Sequence, residues 1–336
     1  MSGHSTAVTQ HPSAVLTHSF SIPDSPMSSQ DATLKNADTQ PDLTIIIVNW
    51  NAEQHLRRCL PSIEAAMAPE AASAGSPIRV EVFLVDNASS DGSIAFVQTA
   101  HPWVKVIRNG TNAGFAKANN TGLRLSSGRY AMLLNPDTIV KQGALRKLIG
   151  FMDENPTVGA VGPKLLNPDG SLQLSCRSYP GIGAGLFRNT PLGRLFPNNR
   201  WTRQYLMADC DHNEARSADW LSGACLMVRR EMIDDVGLLD EDYFMYCEDV
   251  DWCYRMERRG WRKVYFPEAE VIHVIGASSD QKIPAMLAAH HISMSLFYFK
   301  HYFFGWRMLL APLMLGGIAA RGASALLRYI FFRART

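Results

Sequence analysis

The chain alternates apolar runs with helical patterns from residue 43 onward, and this alternation restricts the possible folds more than any other feature of the sequence. Runs rich in β-branched and aliphatic residues, as expected of strands covered on both faces in a parallel sheet, lie at residues 43–50, 80–87, 104–109 and 130–138. Amphipathic patterns between these runs predict helices. The order strand, helix, strand predicts right-handed crossovers and an α/β fold with a doubly wound, mostly parallel sheet.

Polar residues follow each of these predicted strands. They are Asn49 and Asn51, Asp86 and Asn87, Asn109 and Asn112, and Asn135 and Asp137. A single one is explained by turn formation, because Asn and Asp are common in turns and helix caps. Successive sets favour a binding site, because the carboxyl ends of parallel strands meet at one edge, where doubly wound sheets bind nucleotides.

A cluster of acids begins a predicted helix in the stretch FMYCEDVDWCYR, residues 244–255. Glu248, Asp249 and Asp251 can cap free amides and favour the helix dipole, and Asp251 can pair with Arg255 at i+4. That account leaves two adjacent acids among aromatic residues unexplained. Burial beside aromatic rings would raise the pKa of a carboxyl group, which is typical of acid–base chemistry.

The composition argues against several kinds of partner and site. With 33 Lys and Arg against 31 Asp and Glu, the chain has no overall charge to attract nucleic acid, so we expect no nucleic-acid partner. Its 6 cysteines are irregularly spaced without a CxxC pair, which fits buried thiols and a reducing, cytoplasmic compartment better than a zinc site or disulfide framework. The N-terminus lacks the apolar stretch of a secretory signal, so the sequence does not predict export.

Changes in composition divide the chain into parts. We expect a disordered tail (1–41), a main domain (42–284) with a nucleotide-binding half (42–140) and an acceptor and catalytic half (141–284), and amphipathic C-terminal helices (285–336). Within the main domain, residues 176–216 have no clear period and are predicted to form a mobile loop on the acceptor side.

The C-terminal part is dense in Phe, Leu, Met and Tyr with interspersed Lys and Arg. Its longest uncharged run, 308–320, is shorter than the roughly 20 residues of a membrane-spanning helix and contains Pro312. We therefore expect helices that lie on an anionic membrane surface rather than cross it. The alternative is a helix that packs on the main domain or on a second subunit.

An ordered set of motifs resembles the family 2 inverting glycosyltransferases of the GT-A fold, in particular their bacterial rhamnosyltransferase-like branch. The motifs are TIIIVNWN (44–51), LVDNASSDGS (84–93), NAGFAKANNTG (112–122), LLNPDT (133–138), LSGACLMVRRE (221–231), FMYCEDVDWCYRMERRGW (244–261) and VIHVIGASS (271–279). No GxGxxG follows the first strand, which disfavours a dehydrogenase-type Rossmann domain.

The resemblance implies roles for the matching residues on the donor side. Contacts to the nucleotide sugar would come from Asn49, Asn51, Asp86, Asn87, Gly114, Phe115, Asn119 and Asn135. Among them, Asp86 would accept a hydrogen bond from the pyrimidine base. NPD stands in the place of a DxD motif, so Asp137 would hold Mg²⁺ or Mn²⁺, while Asn135 would make a neutral or water-mediated contact. His273 is either a second metal or diphosphate contact or a structural histidine.

The resemblance also assigns the acids. Asp249 would be the general base that takes a proton from the acceptor hydroxyl, with Glu248 as acceptor-binding neighbour and alternative base. Asp251 would be structural, through its pairing with Arg255. The segment 219–231 is expected to form a strand on the acceptor side. Its small residues at 222–224 would let a sugar approach the backbone, or would simply pack.

The implied activity is transfer of L-rhamnose from dTDP-L-rhamnose to a lipid-linked saccharide or polysaccharide in bacterial cell-surface assembly, at the cytoplasmic face of the inner membrane. Another nucleotide sugar, such as a UDP-hexose, is an alternative donor. A non-catalytic nucleotide-sugar-binding membrane module would be expected to lack Asp86, Asp137 or Asp249. A sugar-1-phosphate nucleotidyltransferase would be expected to carry a Gly-rich basic loop where this chain has NWNAEQH.

Overall fold

A computed structural model of the chain describes residues 40–68, 77–188, 190–274 and 283–333. Almost all of the tail predicted at 1–41 lies outside the described residues, as does the end of VIHVIGASS. All described residues belong to one compact unit that begins at Gln40.

The regular elements follow the predicted alternation. The strands are β1 (Leu43–Asn49), β2 (Val80–Asp86), β3 (Lys105–Arg108), β4 (Tyr130–Leu134), β5 (Thr138–Val140), β6 (Val158–Leu166), β7 (Leu172–Gln173), β8 (Cys176–Arg177), β9 (Arg216–Ser217), β10 (Trp220–Leu221), β11 (Cys225–Arg229) and β12 (Arg262–His273). The helices are α1 (Glu53–Met67), α2 (Ser93–Ala100), α3 (Phe115–Leu125), α4 (Ala144–Glu154), α5 (Ile182–Phe187), α6 (Pro191–Leu195), α7 (Arg200–Tyr205), α8 (Arg230–Val236), α9 (Glu248–Arg258), α10 (Ile283–His301) and α11 (Ala311–Arg333), with a 3₁₀ helix at Gly305–Leu310.

The central sheet has the strand order β3-β2-β1-β4-β11-β6-β12-β5. β1 lies parallel to both β2 and β4, so their carboxyl ends share one edge, and β11 is antiparallel to β4 and β6. The prediction of a doubly wound, mostly parallel sheet is therefore confirmed.

Both faces of β1 are buried, which explains its unbroken apolar run. Ile45 and Ile47 belong to the core cluster that includes Leu60 of α1, whereas Ile46 belongs to the cluster on the other face with Leu123 of α3. Each such side chain contributes about 1.5–3 kcal/mol when fully removed from water. Because both faces of β1 are buried, its polar residues lie near the ends of the strand, at the edges of the sheet.

Two predicted strands are interrupted, and both breaks lie at the candidate site. The run 130–138 ends as β4, turns at 135–137 and resumes as β5. The segment 219–231, predicted as one strand, divides into β10, which pairs with β8, and β11, which enters the central sheet. The small residues 222–224 connect the two strands, at the point where the chain passes from the two-stranded sheet to the central sheet.

The prediction of an irregular loop at 176–216 was wrong, because this segment contains α5, α6 and α7. These helices are too short for a period to show in the sequence. α7 is capped locally, since the Asn199 side chain accepts a hydrogen bond from Thr202 N at 2.8 Å. Phe187 also stacks on Trp201 with ring centroids 4.7 Å apart.

The C-terminal helices pack on the main domain through α10. Ser293 donates a hydrogen bond to Met245 O at 2.8 Å, and His301 Nε2 lies 2.6 Å from Asp251 Oδ1. The segment Met308–Leu327 is long and apolar enough to cross a membrane, with a mean hydropathy of 1.5 and 11% of its most apolar window buried. The expectation that this part is too short to span does not hold, because the helix continues through Arg321.

Candidate active site

Two cavities meet at the start of α9. The edge cavity, about 330 Å³, lies at the carboxyl ends of β1, β2 and β4. The helical cavity, about 360 Å³, lies between the 176–216 segment and the C-terminal helices. Both are lined by Ser222, Tyr246, Glu248 and Asp249. The acid pair therefore faces two separate spaces.

The structure brings half of the predicted nucleotide contacts to the edge cavity. They are Asn87, Gly114, Phe115 and Asn135. Asn87 is held in place because its Nδ2 donates to Gly114 O at 3.1 Å and its Oδ1 accepts from Asn109 Nδ2 at 2.8 Å. The α3 N-terminus and the end of β2 are thereby joined into one wall.

Gly114 is required at its position by conformation and by space. Its φ is +85°, and a Cβ there would lie 2.4 Å from Phe244 O. The next residue, Phe115, donates its N–H to the same oxygen at 2.7 Å. This contact positions the segment that carries the acid pair against α3.

The other predicted contacts lie beneath the cavity wall. Asn49 is fully buried and donates to Asp86 Oδ1 at 2.9 Å and to Ser93 Oγ at 2.8 Å. Asp86 also accepts from Ser89 N at 3.2 Å, so both of its oxygens are bonded within the protein. A base contact by Asp86 remains a prediction, and the structure places this carboxylate in the framework that shapes the loop after β2.

The side chains of Asn51 and Asn119 form hydrogen bonds with backbone groups of the protein. Asn51, with a left-handed φ of 51°, accepts from Ser90 N at 2.7 Å. Asn119 is 1% exposed and donates to Phe115 O at 3.0 Å. Neither lines the edge cavity. Their predicted contact to the nucleotide is therefore indirect in this geometry.

Asp137 and His273 meet at the floor of the edge cavity, although 136 residues separate them in the sequence. Asp137 Oδ1 lies 3.4 Å from His273 Nε2 and is buried without a hydrogen-bond partner. A buried carboxylate oxygen without a partner is costly. It is therefore a strong candidate to bind a cation.

Gln173 fixes the ring of His273. The Gln173 amide donates to His273 O at 3.2 Å, so its oxygen is the atom that lies 2.6 Å from His273 Nδ1. Nδ1 must then carry the proton, which leaves the lone pair of Nε2 directed at Asp137 and Asn135. This is the tautomer of a histidine that binds metal through Nε2.

The donor set fits Mg²⁺ or Mn²⁺ that is shared with a diphosphate. Such ions are bound by one or two protein ligands together with phosphate oxygens and water. Within the described part of the chain, no group of three or more His, Cys, Asp or Glu side chains forms a self-sufficient metal site. The remaining positions would therefore be left to the substrate.

The position of Glu248 and Asp249 depends on an unusual backbone conformation in the two residues before them. Tyr246 and Cys247, just before α9, have left-handed φ values of 70° and 66°. Such conformations cost about 1–3 kcal/mol each in residues other than glycine. They turn the chain sharply, so that Glu248 and Asp249 face the cavities at the helix start.

The two acids have different environments. Glu248 is 5% exposed, and its Oε2 has no hydrogen-bond partner. Burial, followed by the charge of Asp249, raises the pKa of Glu248 well above its usual range. Burial also raises the pKa of Asp249, but its carboxylate accepts from Gly223 N at 3.0 Å and from Val250 N at 2.9 Å. A single negative charge on the pair therefore resides on Asp249.

Asp251 faces away from both cavities. Its side chain is 1% exposed and pairs with Arg255 Nε at 2.8 Å, which confirms the predicted i+4 pairing. It also lies 2.6 Å from His301 Nε2. Burial alone would raise its pKa, but hydrogen bonds from His301 and Arg255 outweigh this and lower it.

Sequence reasoning missed Gln173, Tyr246 and Arg177. Gln173 lies in a two-residue strand, and Tyr246 is distinguished only by its φ. Arg177, which lines the helical cavity, is near enough to Asp249 for its charge to lower the pKa of that carboxyl group, against the larger effect of burial. The only sequence signal was the abundance of arginine in the 176–216 segment.

Comparison with known proteins defines the class. A model of the Glycosyl transferase family 2 matches residues 44–237, more than half of the chain. The chain belongs to this family, and the predicted resemblance and the GT-A fold are confirmed.

Relatives narrow the assignment within the family. The chain is 34% identical over 290 residues to the N-acetylglucosaminyl-diphospho-decaprenol L-rhamnosyltransferase of Mycobacterium tuberculosis, covering 83% of this chain and 91% of the relative. It is 25% identical over 204 residues to the dTDP-rhamnosyl transferase RfbF of Shigella flexneri, covering 59% and 61%. The protein is therefore a hexosyltransferase of the rhamnosyltransferase-like branch. The nucleotidyltransferase and non-catalytic alternatives are set aside.

A solved structure agrees on the fold. The mannosyltransferase PcManGT from Pyrobaculum calidifontis, in complex with GDP-Man and Mn²⁺, superimposes with a TM-score of 0.53 at 18% identity, covering 86% of this chain and 76% of that one.

Proposed function

We propose that the enzyme transfers L-rhamnose from dTDP-L-rhamnose to a saccharide linked through diphosphate to a lipid, with inversion at the anomeric carbon. The observation that carries this proposal is the pair of cavities that share Asp249 and Glu248. The names of the relatives supply the sugar and the kind of acceptor, since one acts on an N-acetylglucosaminyl-diphospho-decaprenol and another is a dTDP-rhamnosyl transferase.

The geometry suits a single displacement. The donor occupies the edge cavity, which has polar groups for a nucleotide and a diphosphate, and the acceptor enters from the helical cavity. Asp249 removes the proton of the acceptor hydroxyl as that oxygen attacks the anomeric carbon, from the side opposite the leaving nucleotide. General base catalysis of this kind is worth about 10²–10⁴-fold in rate.

Asp137 and His273 would hold the divalent cation, Mg²⁺ or Mn²⁺, which supplies positive charge to the diphosphate leaving group. Gln173 keeps the Nε2 lone pair of His273 available. Glu248, protonated beside Asp249, is placed to donate a hydrogen bond to the acceptor sugar. These roles remain proposals for the residues of this chain.

A lipid-linked acceptor requires contact with the membrane, and the C-terminal helices are suited to it. Their exposed apolar side chains include Ile292, Phe304, Leu309, Leu313 and Leu327, which are between 54% and 82% exposed. We place the protein at the cytoplasmic face of the inner membrane through these helices.

The test is a donor panel. Purified full-length enzyme receives dTDP-rhamnose, UDP-galactose or UDP-N-acetylglucosamine, with N-acetylglucosaminyl-diphospho-prenol as acceptor, and Mg²⁺, Mn²⁺ or a chelator. We expect metal-dependent transfer from dTDP-rhamnose, with an anomeric configuration in the product, read by NMR, opposite to that of the donor. If transfer occurs only from a UDP-sugar, the proposed donor is wrong. If the product retains the anomeric configuration of the donor, the role of Asp249 as general base in a single displacement is refuted.

A further inference from the structure

The helical cavity contains a concentration of positive charge that the transfer step does not use. Arg177 from β8, Arg188 from the end of α5 and Arg321 from α11 all line it, and they are called the arginine cluster below. They come from three separate parts of the chain. The cluster therefore exists only in the folded protein.

Contacts with one tyrosine show that the guanidinium groups of Arg177 and Arg188 are close together. The Arg188 and Arg177 groups lie 4.8 Å and 5.9 Å from the centre of the same ring, that of Tyr205. Arg188 Nη1 also donates to the Tyr205 hydroxyl at 3.1 Å. Burial lowers the pKa of Arg188, and the charges of Arg177 and Arg321 lower it further.

Two members of the cluster, Arg177 and Arg188, form no ion pair with an acid among the described residues. Arg177 Nε is also buried without a hydrogen-bond partner. Burial, followed by the charge of Arg321, lowers the pKa of the neighbouring His290 to about 4, so this histidine adds no charge near neutral pH. Like charges held together away from water are unfavourable unless an anion joins them.

The rest of the helical cavity is apolar. Phe297 and Met294 of α10 face Leu313, Met314 and Ile318 of α11 across it. The lining of the cavity thus combines the acid pair, the arginine cluster with Tyr205, and apolar side chains of the two C-terminal helices. A ligand that matches this lining would carry a hydroxyl group beside Asp249, an anionic group beside the arginine cluster and a hydrocarbon chain beside the apolar side chains.

We propose that the arginine cluster binds the diphosphate of a polyprenyl-diphosphate-linked sugar, with the prenyl chain between α10 and α11 and the sugar at Asp249. A diphosphate diester carries two negative charges, and guanidinium groups bind phosphate oxygens in a bidentate manner. This inference rests on the proposed function for the identity of the transferred sugar. The binding of the lipid diphosphate by the arginine cluster does not depend on which sugar is transferred.

The first experiment measures binding alone. The full-length protein in detergent is titrated with a prenyl diphosphate that carries no sugar, followed by calorimetry, for wild type, Arg188→Gln, Arg321→Gln and the control Arg58→Gln on the exposed side of α1. Loss of one charge-assisted contact is expected to weaken binding about tenfold or more in the first two variants. The control should bind as the wild type does.

The second experiment measures transfer to two acceptors that share the sugar and the prenyl chain. One is linked through diphosphate, and the other is a simple glycoside without phosphate. The cluster variants should raise KM for the first acceptor about tenfold or more while leaving KM and kcat for the second unchanged. Unchanged transfer to the second acceptor shows that each variant is folded, and Arg188→Lys should restore part of the loss.

The outcomes separate the two proposals. Binding of prenyl diphosphate that depends on the cluster, without transfer from any donor, supports the cavity inference and contradicts the proposed function. Transfer with equal KM for both acceptors, and no effect of the cluster variants, refutes the cavity inference alone. If the variants lose binding to phosphatidylglycerol vesicles but not to prenyl diphosphate, a phospholipid headgroup occupies the cluster and the inference is wrong.

Discussion

Replacing Asp249 with Asn separates catalysis from folding, because the two side chains have nearly the same shape. The carboxylate accepts from Gly223 N and Val250 N, and an amide has only one oxygen to offer them. One N–H loses its acceptor, at a cost of about 1–3 kcal/mol. The substitution also removes a buried charge beside Glu248, which offsets part of that cost. We expect the free energy of unfolding to change by less than about 2 kcal/mol.

The effect on transfer should be much larger. An amide cannot take the proton of the acceptor hydroxyl, so kcat should fall about 10²–10⁴-fold, or roughly 3–5 kcal/mol in activation free energy. The assay is transfer from labelled dTDP-rhamnose to N-acetylglucosaminyl-diphospho-prenol at saturating metal, with urea unfolding measured on the same preparations.

The pH dependence tests the same assignment. Burial raises the pKa of Asp249 above the usual range of an aspartate, so the rate should fall as the pH drops through that raised pKa and the base becomes protonated. Glu248 is still neutral over that range, so Glu248→Gln should leave the acid limb of the profile in place. A rate for Asp249→Asn within tenfold of wild type, with a collapse in Glu248→Gln, would make Glu248 the base and refute the reasoning.

Three further substitutions test the framework of the site. Asp251→Asn breaks a buried pair and should lower the free energy of unfolding by about 3 kcal/mol at neutral pH, against under about 1 kcal/mol for the exposed Asp235→Asn. Because the folded pKa of Asp251 is lowered, the difference between wild type and variant should shrink as the pH falls below about 4, and a constant difference in urea unfolding would contradict the pairing. Gln173→Ala should weaken Mn²⁺ binding about 10–100-fold, measured by electron paramagnetic resonance with dTDP present, and unchanged affinity would contradict the proposal that Gln173 orients His273 to bind the metal. Gly114→Ala should reduce donor affinity and cost more stability than Gly170→Ala, since both positions have a positive φ but only a Cβ at Gly114 meets the backbone; equal losses would show that conformation alone matters.

The parallel half of the sheet was predictable because its strands are buried on both faces and leave unbroken apolar runs. The other half, which contains β11, β6, β12 and β5, was not. β12 runs parallel to β6 although the two strands are about a hundred residues apart, and β11 is inserted antiparallel between β4 and β6. Nothing local in the sequence encodes such pairing.

The interruptions at 135–137 and 222–224 were missed for a related reason. A pattern of apolar residues does not show where a strand leaves one sheet for another. Both interruptions occur where the chain must present polar groups or backbone to the edge cavity. Local rules therefore failed at positions that the site requires.

The candidate site was predictable where short motifs carry it and not where distant parts meet. Asp137, Asp249 and His273 were found by their motifs, and the structure places all three on the edge cavity. Gln173 was not found, because its function depends on a histidine 100 residues away. The arginine cluster was missed as well, since it exists only once α11 has packed over the 176–216 segment.

The acids at the start of α9 connect the proposed site of reaction to the C-terminal helices. Asp249 lies at the junction of the two cavities, while Asp251, on the same helix, is bound to His301 at the end of α10. α10 and α11 also form the apolar walls of the helical cavity. A displacement of the C-terminal helices would therefore disturb the helical cavity and the helix that carries Asp249 together. The buried contact between Asp251 and His301 therefore joins α10 to the helix that carries Asp249.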